Sequence, residues 1–417
     1  MSKLRGKKLL ILGSTSRTID LVHYAKEMGV YTIVVDWNDP SIAPVKMAAD
    51  EHWEVSLLDY DELSKRIKEH KVNGIITGFT DSYLLPYQHL CELNNLPCYA
   101  TKDVFEVTLD KARFKKMCIE NGVPVVPEYD LSTIDINTIS KENKILIKPV
   151  DNSGSRGIVV CDSPHNFQSC LDYAISFSKK KEVVIEKYME LDTFSVSYTI
   201  QDGQISMSTM NDRIVHKVEG AGAATAGGRY PSRYIDSYMS EMDNRIRRMY
   251  GNLGVKNGVL FIQGFTDGTN YYFYEMGYRI SGGRHYIYTE HQNKTNAAKN
   301  LIHFALTGSM ADYVIKDRDT PRFKDLCLQI NIMGKEAKIA KMSGFDYVKS
   351  MPEVFELILF KKLGDDIGKD GTTAQQVAGI YTVVKDEDHL ASVCKRIQEH
   401  LIIEDAEGNN LILELLS

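Results

Sequence analysis

The sequence predicts an α/β protein whose later part is a mixed α+β region, and three observations support this prediction. In the first hundred residues, short apolar runs rich in β-branched residues alternate with helical patterns. Further along, the run ILIK leads into a small polar loop that contains glycine. Later still, two apolar runs flank an Asp-Gly turn, which is typical of a β-hairpin. A chain of 417 residues has room for roughly two or three domains.

Composition excludes several classes of function. The net charge of −6 argues against a protein that coats nucleic acid, since such proteins are usually basic. The seven cysteines show no C-x-x-C spacing, so neither a zinc signature nor a disulfide framework is indicated. The apolar run Leu9–Leu12 is too short for a signal peptide, and no run approaches membrane-spanning length. We therefore expect a cytoplasmic protein with no nucleic-acid or membrane partner.

The first hundred residues predict a parallel sheet with right-handed crossovers, because strands and helices alternate there. The predicted strands are Leu9–Leu12, Tyr31–Asp36, Val72–Thr77 and a short strand near Pro97–Tyr99. Gly13 after the first strand and Asp36 after the second are features of a dinucleotide fold. However, the G-x-G-x-x-G spacing is absent, which argues against NAD binding.

A helix is predicted to begin after Thr108 or Asp110, either of which can cap it. It carries apolar residues on one face and ends at Gly122 and Pro124. Lys111 lies in its first turn. The polar stretch from Asp130 to Lys144 then predicts a hinge into a small second domain.

That domain contains the strand that ends in Lys148 and a loop typical of phosphate binding. The strand holds the lysine in place, and small residues let backbone N–H groups approach phosphate oxygens; these residues are Ser153, Gly154, Ser155 and Gly157. The loop is not a Walker A motif, because the lysine precedes the glycines. Taken alone, the segment is equally compatible with a plain strand and turn.

The predicted hairpin Gly258–Met276 carries two polar groups, Gln263 and Glu275, on neighbouring strands. Carboxylate and amide oxygens suit Mg²⁺, which completes its shell with water and phosphates. Arg279, four residues on, suits a two-pronged grip on a carboxylate or phosphate. The alternative is an edge hairpin with exposed polar residues and no ligand.

Taken in order, these motifs resemble the ATP-grasp superfamily over nearly the whole chain. They are the Asp110-Lys111 helix start with GVPVVP (122–127), the lysine strand and its loop, the strand VVIEKYM (183–189) and QGF…YEMGYR (263–279). The sequence is most similar to the ATP-binding halves of carbamoyl phosphate synthase and to the N5-carboxyaminoimidazole ribonucleotide synthetases. Biotin carboxylase is similar at EKY.

The resemblance implies an ATP-grasp fold in three parts. Residues 1–110 would form an N-terminal parallel α/β domain that precedes the ATP-grasp unit. Residues 111–188 would form a small lid subdomain with the glycine-rich loop. Residues 189–417 would form a larger mixed C-terminal subdomain with the metal site and a β-rich end.

The resemblance also implies roles for individual residues. Lys111 and Lys148 would contact ATP phosphates, and the loop Ser153–Gly157 would close over them. Glu186, Lys187 and Met189 would meet adenine, partly through backbone groups. The metal ligands would be Gln263 and Glu275, with Mg²⁺ preferred and Mn²⁺ admissible, and Arg279 would hold the acyl phosphate or its parent carboxylate.

Two departures from the family pattern affect these assignments. Gly277 stands where the family often has an asparagine ligand, so a second metal would need the substrate to complete its shell. The hinge usually continues with an acid for the ribose. Here Asp192 is a displaced substitute for that acid.

The resemblance implies an ATP-dependent carboxylate–amine ligase that releases ADP and phosphate, with an amino acid as the expected carboxylate. One alternative is bicarbonate activation, as in carboxylases and carbamoyl phosphate synthase. Another is a nucleotide-binding protein without ligase activity. A homodimer is also compatible with the family.

The residues that would select the amine substrate are less defined. Residues 211–229 read either as a loop over the substrate or as a surface connection. Asp81 follows a strand of the first sheet at its carboxyl edge, where ligands of α/β proteins bind, although loop capping explains it equally well. His285 and Tyr286 would either line the pocket or pack in the core.

Overall fold

The N-terminal part folds into a parallel sheet with the strand order β3-β2-β1-β4. The structure is a computed structural model that describes residues 3–150, 157–217, 223–368 and 373–413. The elements of this part are β1 (Lys8–Leu12), α1 (Thr18–Glu27), β2 (Tyr31–Asp36), α2 (Val45–Ala48), β3 (Glu51–Glu54), α3 (Tyr60–Glu69), β4 (Gly74–Thr77), α4 (Leu84–Leu93), α5 (Lys102–Leu109) and α6 (Lys111–Glu120).

The predicted parallel α/β unit is confirmed, with two differences in its strands. β3 was not predicted, because its sequence EHWE is mostly polar. The predicted strand at Pro97–Tyr99 is wrong, since no strand forms there. Tyr99 is instead buried among the rings of Tyr87, Phe105 and Tyr278. Aromatic packing, not strand pairing, accounts for the apolar residues of this segment.

A small antiparallel sheet follows, with the order β5-β8-β6-β7. Its strands are covered on one face by α7, whose apolar residues pack on Ile145, Ile147 and Ile185. The elements are β5 (Glu128–Tyr129), β6 (Ile145–Pro149), β7 (Val159–Cys161), α7 (Phe167–Ser176) and β8 (Val183–Lys187). This sheet positions the predicted phosphate-binding lysine and hinge.

The largest sheet has the strand order β13-β12-β9-β10-β11-β14-β17-β16. β15 and β18 pair separately. The elements are β9 (Asp192–Gln201), β10 (Gln204–Lys217), β11 (Ala223–Tyr230), α8 (Ile235–Glu241), α9 (Asp243–Asn252), β12 (Gly258–Thr266), β13 (Tyr271–Gly277), α10 (His285–Asn293), α11 (Ala297–Thr307), β14 (Leu326–Met333), β15 (Lys341–Ser343), α12 (Phe345–Ser350), β16 (Val354–Leu359), β17 (Gln376–Val384), α13 (Glu387–His400) and β18 (Ile402–Glu404).

Alternation along β9 separates the two faces of this sheet. Phe194, Val196 and Tyr198 are buried in the hydrophobic core, and the Tyr198 hydroxyl lies 3.0 Å from that of Tyr238 on α8. Thr193 and Ser195 alternate with them and therefore point to the opposite face. The second face carries the polar residues of the candidate site.

The interpretation of residues 211–229 as a loop is wrong for the described part of that segment. Residues 211–217 belong to β10, and residues 223–229 belong to β11, both inside the large sheet. Its glycines fit this position: a Cβ at Gly228 would lie 2.8 Å from the side-chain nitrogen of Asn211. Gly228 therefore reflects close packing within the sheet.

Helix α11 connects the distant parts of the chain, because it packs against α1 and β4 of the first sheet. The approach is close enough that a Cβ on Gly74 would lie 2.1 Å from the carbonyl oxygen of Ala305. The three-part division at residues 110 and 188 stays a prediction. Among the described residues, no helix combines the length and apolar character that a membrane crossing needs.

Candidate functional site

Lys148 and Glu186 form a buried ion pair on neighbouring strands of the small sheet. The Nζ of Lys148 lies 2.6 Å from Oε2 of Glu186, and Lys115 from α6 lies 2.5 Å from Oε1 of the same carboxylate. Glu128 also contacts Lys115. The Glu186 side chain is therefore enclosed between two lysines. Because both carboxylate oxygens of Glu186 contact lysines, neighbouring residues would have to contact adenine.

Lys111 lies beside the start of the predicted phosphate loop. Asp110 caps α6 by accepting a hydrogen bond from the backbone N–H of Arg113 at 2.9 Å, which fixes Lys111 as the first helical residue. The Nζ of Lys111 donates to the carbonyl of Val150 at 3.4 Å. The predicted phosphate-binding residues Ser153, Gly154 and Ser155 lie outside the described residues.

Gly157 ends this loop with a backbone that only glycine adopts readily, since its φ is +77°. A Cβ there would also lie 2.5 Å from the Cβ of Phe177. Lys148 before the loop and Gly157 after it are thus both fixed by packing. Both the backbone conformation and the packing therefore favour glycine at position 157.

The hinge residues that follow β8 occupy an open position. Lys187 is exposed, and its backbone N–H donates to the carbonyl of Pro127 at 3.0 Å. Met189 is half-buried. Asp192 is exposed, lies 3.4 Å from Arg233 and accepts a hydrogen bond from the hydroxyl of Tyr234. A ribose would have to share Asp192 with these two partners.

Gln263 and Glu275 are direct cross-strand partners in the hairpin of β12 and β13. Oε1 of Gln263 accepts hydrogen bonds from Arg213 at 3.1 Å and Tyr274 at 3.2 Å. The side chain of Glu275 is exposed. Within the described part of the chain, its carboxylate forms no hydrogen bond or ion pair. The exposed carboxylate of Glu275 is open to a hard cation, whereas Oε1 of Gln263 would have to share its contacts with Arg213 and Tyr274 to join it.

Gly277 is glycine for a steric reason. A Cβ at this position would lie 2.4 Å from Cε1 of Phe261 on β12, so an asparagine cannot occupy it without moving that ring. In the described ranges, no cluster of three or more His, Cys, Asp or Glu could hold a metal ion. If Gln263 and Glu275 hold a metal, they supply two oxygen ligands, and phosphates and water would have to supply the rest.

Arg213 on β10 is a site residue that the sequence analysis missed. Its Nη1 lies 2.6 Å from the hydroxyl of Tyr274, and its Nη2 lies 2.9 Å from that of Thr225. Burial raises the pKa of Tyr274, and the carboxylates of Glu275 and Glu186 raise it further. The hairpin and the lysine-bearing sheet therefore face a common space. The apolar–polar alternation of residues 205–208, earlier in the same strand, was the signal that could have placed Arg213 on a strand.

Arg279 is held by Asp81, which follows β4 in the N-terminal sheet. Nε and Nη2 of Arg279 lie 2.6 and 2.8 Å from the two carboxylate oxygens. The guanidinium also lies 5.1 Å from the ring centre of Phe261. Asp81, one of the residues considered for binding the second substrate, thus lies beside the arginine that is predicted to bind a carboxylate.

His285 and Tyr286 are buried at the start of α10. Nδ1 of His285 lies 2.6 Å from the hydroxyl of Tyr230, and burial, reinforced by the charge of Arg213, lowers the pKa of His285 to about 4. The hydroxyl of Tyr286 donates to Asp20. Both side chains have partners within the protein.

Asp36, the acid that would suggest a dinucleotide fold, already has partners within the protein. Asp36 is buried, accepts a hydrogen bond from the backbone N–H of Ser14 at 2.8 Å and lies 3.0 Å from the buried Nζ of Lys46. These contacts tie the loop after β1 to β2. They give Asp36 a structural role at the position where a dinucleotide fold would contact ribose.

Part of the chain is similar in sequence to a known protein family and to curated proteins. Residues 108–283 match the family model of the ATP-grasp domain. The chain is 24% identical over 203 residues to the 2-oxoglutarate carboxylase small subunit of Hydrogenobacter thermophilus, covering 44% of this chain and 43% of that protein. It is 28% identical over 206 residues to the carbamoyl phosphate synthase large chain of Saccharolobus islandicus, covering 44% and 19%. It spans less than half the length of these curated relatives.

The fold is also shared with solved structures. An L-amino acid ligase from Bacillus licheniformis superposes with a TM-score of 0.77 at 17% identity, covering 96% of this chain and 99% of that one. At this level of identity the likeness establishes the fold alone. The predicted architecture, with its parallel N-terminal sheet and large mixed sheet, is confirmed.

Proposed function

The chain carries an ATP-grasp domain at residues 108–283, and on that premise we propose that the protein is an ATP-dependent carboxylate–amine ligase. It activates a small-molecule carboxylate, such as that of an amino acid, as an acyl phosphate. An amine then displaces phosphate, so that an amide forms and ADP and orthophosphate are released. The single observation that carries the proposal is the unpaired carboxylate of Glu275 beside Gln263.

Charge neutralisation is the main requirement of the first step. Phosphoryl transfer places negative charge on several oxygens, and catalysis consists largely of positioning and electrostatic stabilisation. Lys111 and Lys148 would supply positive charge to the nucleotide phosphates. Mg²⁺, or Mn²⁺ in its place, would be held by Gln263 and Glu275 and would offset charge on the same phosphates.

Arg279 would orient the carboxylate that is activated. Nε and Nη2 of its guanidinium contact Asp81, and Nη1 donates to the carbonyl of Ile280, so a substrate carboxylate would use the remaining N–H groups of Nη1 and Nη2. Arg213 would reach the same space from β10. The amine would attack after phosphoryl transfer. His285 is buried, so its ring has no exposed surface through which to act as an acid or a base.

Bicarbonate activation is a second candidate, because the curated relatives with matching segments include a carboxylase subunit and a carbamoyl phosphate synthase. It uses the same ATP and metal sites. In that case bicarbonate alone would stimulate ADP release. A homodimer is proposed as one assembly of either enzyme.

An ADP-release screen with Mg²⁺ tests these functions. The panel would contain pairs of amino acids, other small acids and amines, and bicarbonate, and the product mass would identify both substrates. Glu275→Gln is expected to reduce ADP formation about 100-fold or more, since an oxyanion-stabilising contact is typically worth that much. Glu54→Gln, another exposed glutamate on a strand, is the matched control. Wild-type rates in the Glu275 variant would refute the proposal.

A further inference from the structure

Two arginines lie together where the carboxyl edge of the N-terminal sheet meets the loop before α10. Arg284 is only 2% exposed. Its Nε lies 2.6 Å from Oδ2 of Asp20, and its guanidinium lies 4.6 Å from the ring centre of Phe360. Its Nη2 is buried and has no hydrogen-bond partner among the residues that the structure describes. An unpaired buried N–H of a charged group is costly, and such groups normally have a partner.

Arg17 comes from the loop after β1 and has no carboxylate partner within the described ranges. Its Nε donates to the carbonyl of Gly282 at 3.2 Å, which leaves the outer nitrogens of the guanidinium without a described contact. Burial and the charge of Arg284 lower the pKa of Arg17. The contact of Arg17 with Gly282, two residues before Arg284, places the two cations near each other.

The nearby acids do not balance this pair. Asp20 contacts Arg284 and also accepts a hydrogen bond from Tyr286. Glu356 is exposed on β16 and, among the described residues, forms no ion pair with either arginine. The cluster thus presents unused guanidinium N–H groups in a partly buried place, where an anion binds more strongly than it does in water.

The position of the cluster relates it to the proposed reaction. Residues 280–283 lead directly from Arg279 to Arg284, and Arg17 contacts this connection at Gly282. A Cβ at Gly282 would lie 3.5 Å from Nε of Arg17, an ordinary van der Waals distance, so this connection passes directly beside the guanidinium. The carboxyl edge of a parallel sheet is also where α/β proteins bind ligands.

We propose that Arg17 and Arg284 form a subsite for an anionic group, a carboxylate or a phosphate, on the amine substrate. Arg17 contacts the oxyanion with its outer N–H groups, and Arg284 behind it supplies positive potential. The subsite holds the amine substrate next to the carboxylate activated at Arg279. This inference rests on the proposed ligase function.

The experiment compares Arg17→Ala, Arg17→Lys and the control Arg66→Ala, which removes a half-buried arginine of the same domain that pairs with Glu62. With the amine identified by the ADP-release screen, Arg17→Ala is expected to raise its KM about 10- to 100-fold, the effect of one charge-assisted hydrogen bond or two. The KM for ATP should change less than about twofold, and Arg17→Lys should recover part of the loss.

An analogue of the amine that lacks its anionic group distinguishes a direct contact from a general loss of structure. Wild-type enzyme should bind this analogue as weakly as the Arg17→Ala variant binds the full substrate, with no further loss in the variant. Amines with a carboxylate and amines with a phosphate are compared to identify the anion. An unchanged KM in Arg17→Ala, or equal losses for substrate and analogue, would overturn the proposal.

A binding measurement separates failure of this inference from failure of the ligase proposal. If wild-type protein releases no ADP with any pair, the ligase proposal fails, and the subsite is tested with inorganic phosphate against chloride at equal ionic strength. Phosphate should raise the Tm of the wild type and of Arg66→Ala but not that of Arg17→Ala. No shift in the wild type, or equal shifts in all three, would refute the subsite.

Discussion

Arg279, two residues after β13, is fixed by Asp81, which follows β4 of the N-terminal sheet, through two hydrogen bonds of 2.6 and 2.8 Å. Burial opposes the charge of Arg279, but the hydrogen bonds and charge of Asp81 leave its pKa raised overall. Residues nearly two hundred positions apart thus share one ion pair at the proposed carboxylate site. The N-terminal domain would therefore contribute directly to the proposed carboxylate site.

Replacing Asp81 by Asn should loosen Arg279 without changing the size of the side chain. We expect kcat for ADP release to fall about 10-fold or more, because misplacement of a positioning group is costly. The free energy of unfolding should fall by about 1–2 kcal/mol, since the carboxylate is partly solvated. Steady-state kinetics and urea denaturation measure both. Asp366→Asn, which alters an exposed carboxylate, should leave both at wild-type values.

The two carboxylates that contact Lys115 provide a matched pair for stability. Glu186 is 2% exposed and contacts Lys115 and Lys148, so Glu186→Gln leaves Lys148 without this carboxylate and Lys115 with Glu128 alone, and it should cost about 3–5 kcal/mol. Glu128 is 44% exposed, and Glu128→Gln should cost less than about 1 kcal/mol. Urea denaturation at neutral pH tests the difference. Equal effects of the two changes would mean that burial does not govern this cluster.

His285 predicts a pH dependence of stability. Burial lowers its pKa from 6.5 to about 4, so between these values the unfolded chain binds a proton that the folded protein does not. Stability contributed by the neutral ring is present above pH 6.5 and is lost as the pH falls. Linkage gives a loss of about 2 kcal/mol between pH 7 and pH 5. His285→Gln should lack this component in urea denaturation at the two pH values; an unchanged pH dependence would contradict the assignment.

Gly74 on β4 and Gly251 on α9 should respond in opposite directions when each is replaced by alanine. Gly74→Ala places a methyl group 2.1 Å from the Ala305 carbonyl and should cost about 1–3 kcal/mol, because backbone must move. Gly251 near the end of α9 has nothing within 4 Å of its added Cβ, so Gly251→Ala should stabilise by about 0.4–1 kcal/mol. Thermal denaturation measures both. A neutral Gly74→Ala would mean that α11 does not pack on the sheet as described.

Local patterns were sufficient to predict the elements that carry the ATP site. The cap at Asp110, the strand ending in Lys148 and the hairpin of Gln263 and Glu275 are all expressed within a few residues of sequence. Cross-strand pairing across a tight turn is a local property, so the facing of Gln263 and Glu275 could be predicted. The roles of these residues stay proposals.

Partners that depend on distant segments could not be predicted in the same way. Glu186 was placed at the hinge by sequence, but only the packing of α6 on the small sheet shows it between Lys115 and Lys148. Arg213 was missed because residues 211–229 resemble a glycine-rich loop, whereas in the sheet the close approach of Asn211 accounts for Gly228. Gly277 shows the same limit, since the ring of Phe261 determines it.

The sequence by itself determined the order of elements, the predicted ATP-grasp fold and the lysines, acids and arginine of the proposed ATP site, because capping, periodicity and turns act over short distances. The tertiary structure decided which charges meet: Arg279 with Asp81, and Arg284 with Asp20 beside Arg17. These contacts join the N-terminal sheet to residues 279–284. Their physical basis is the pairing of charges removed from water, which depends on packing between segments remote in sequence.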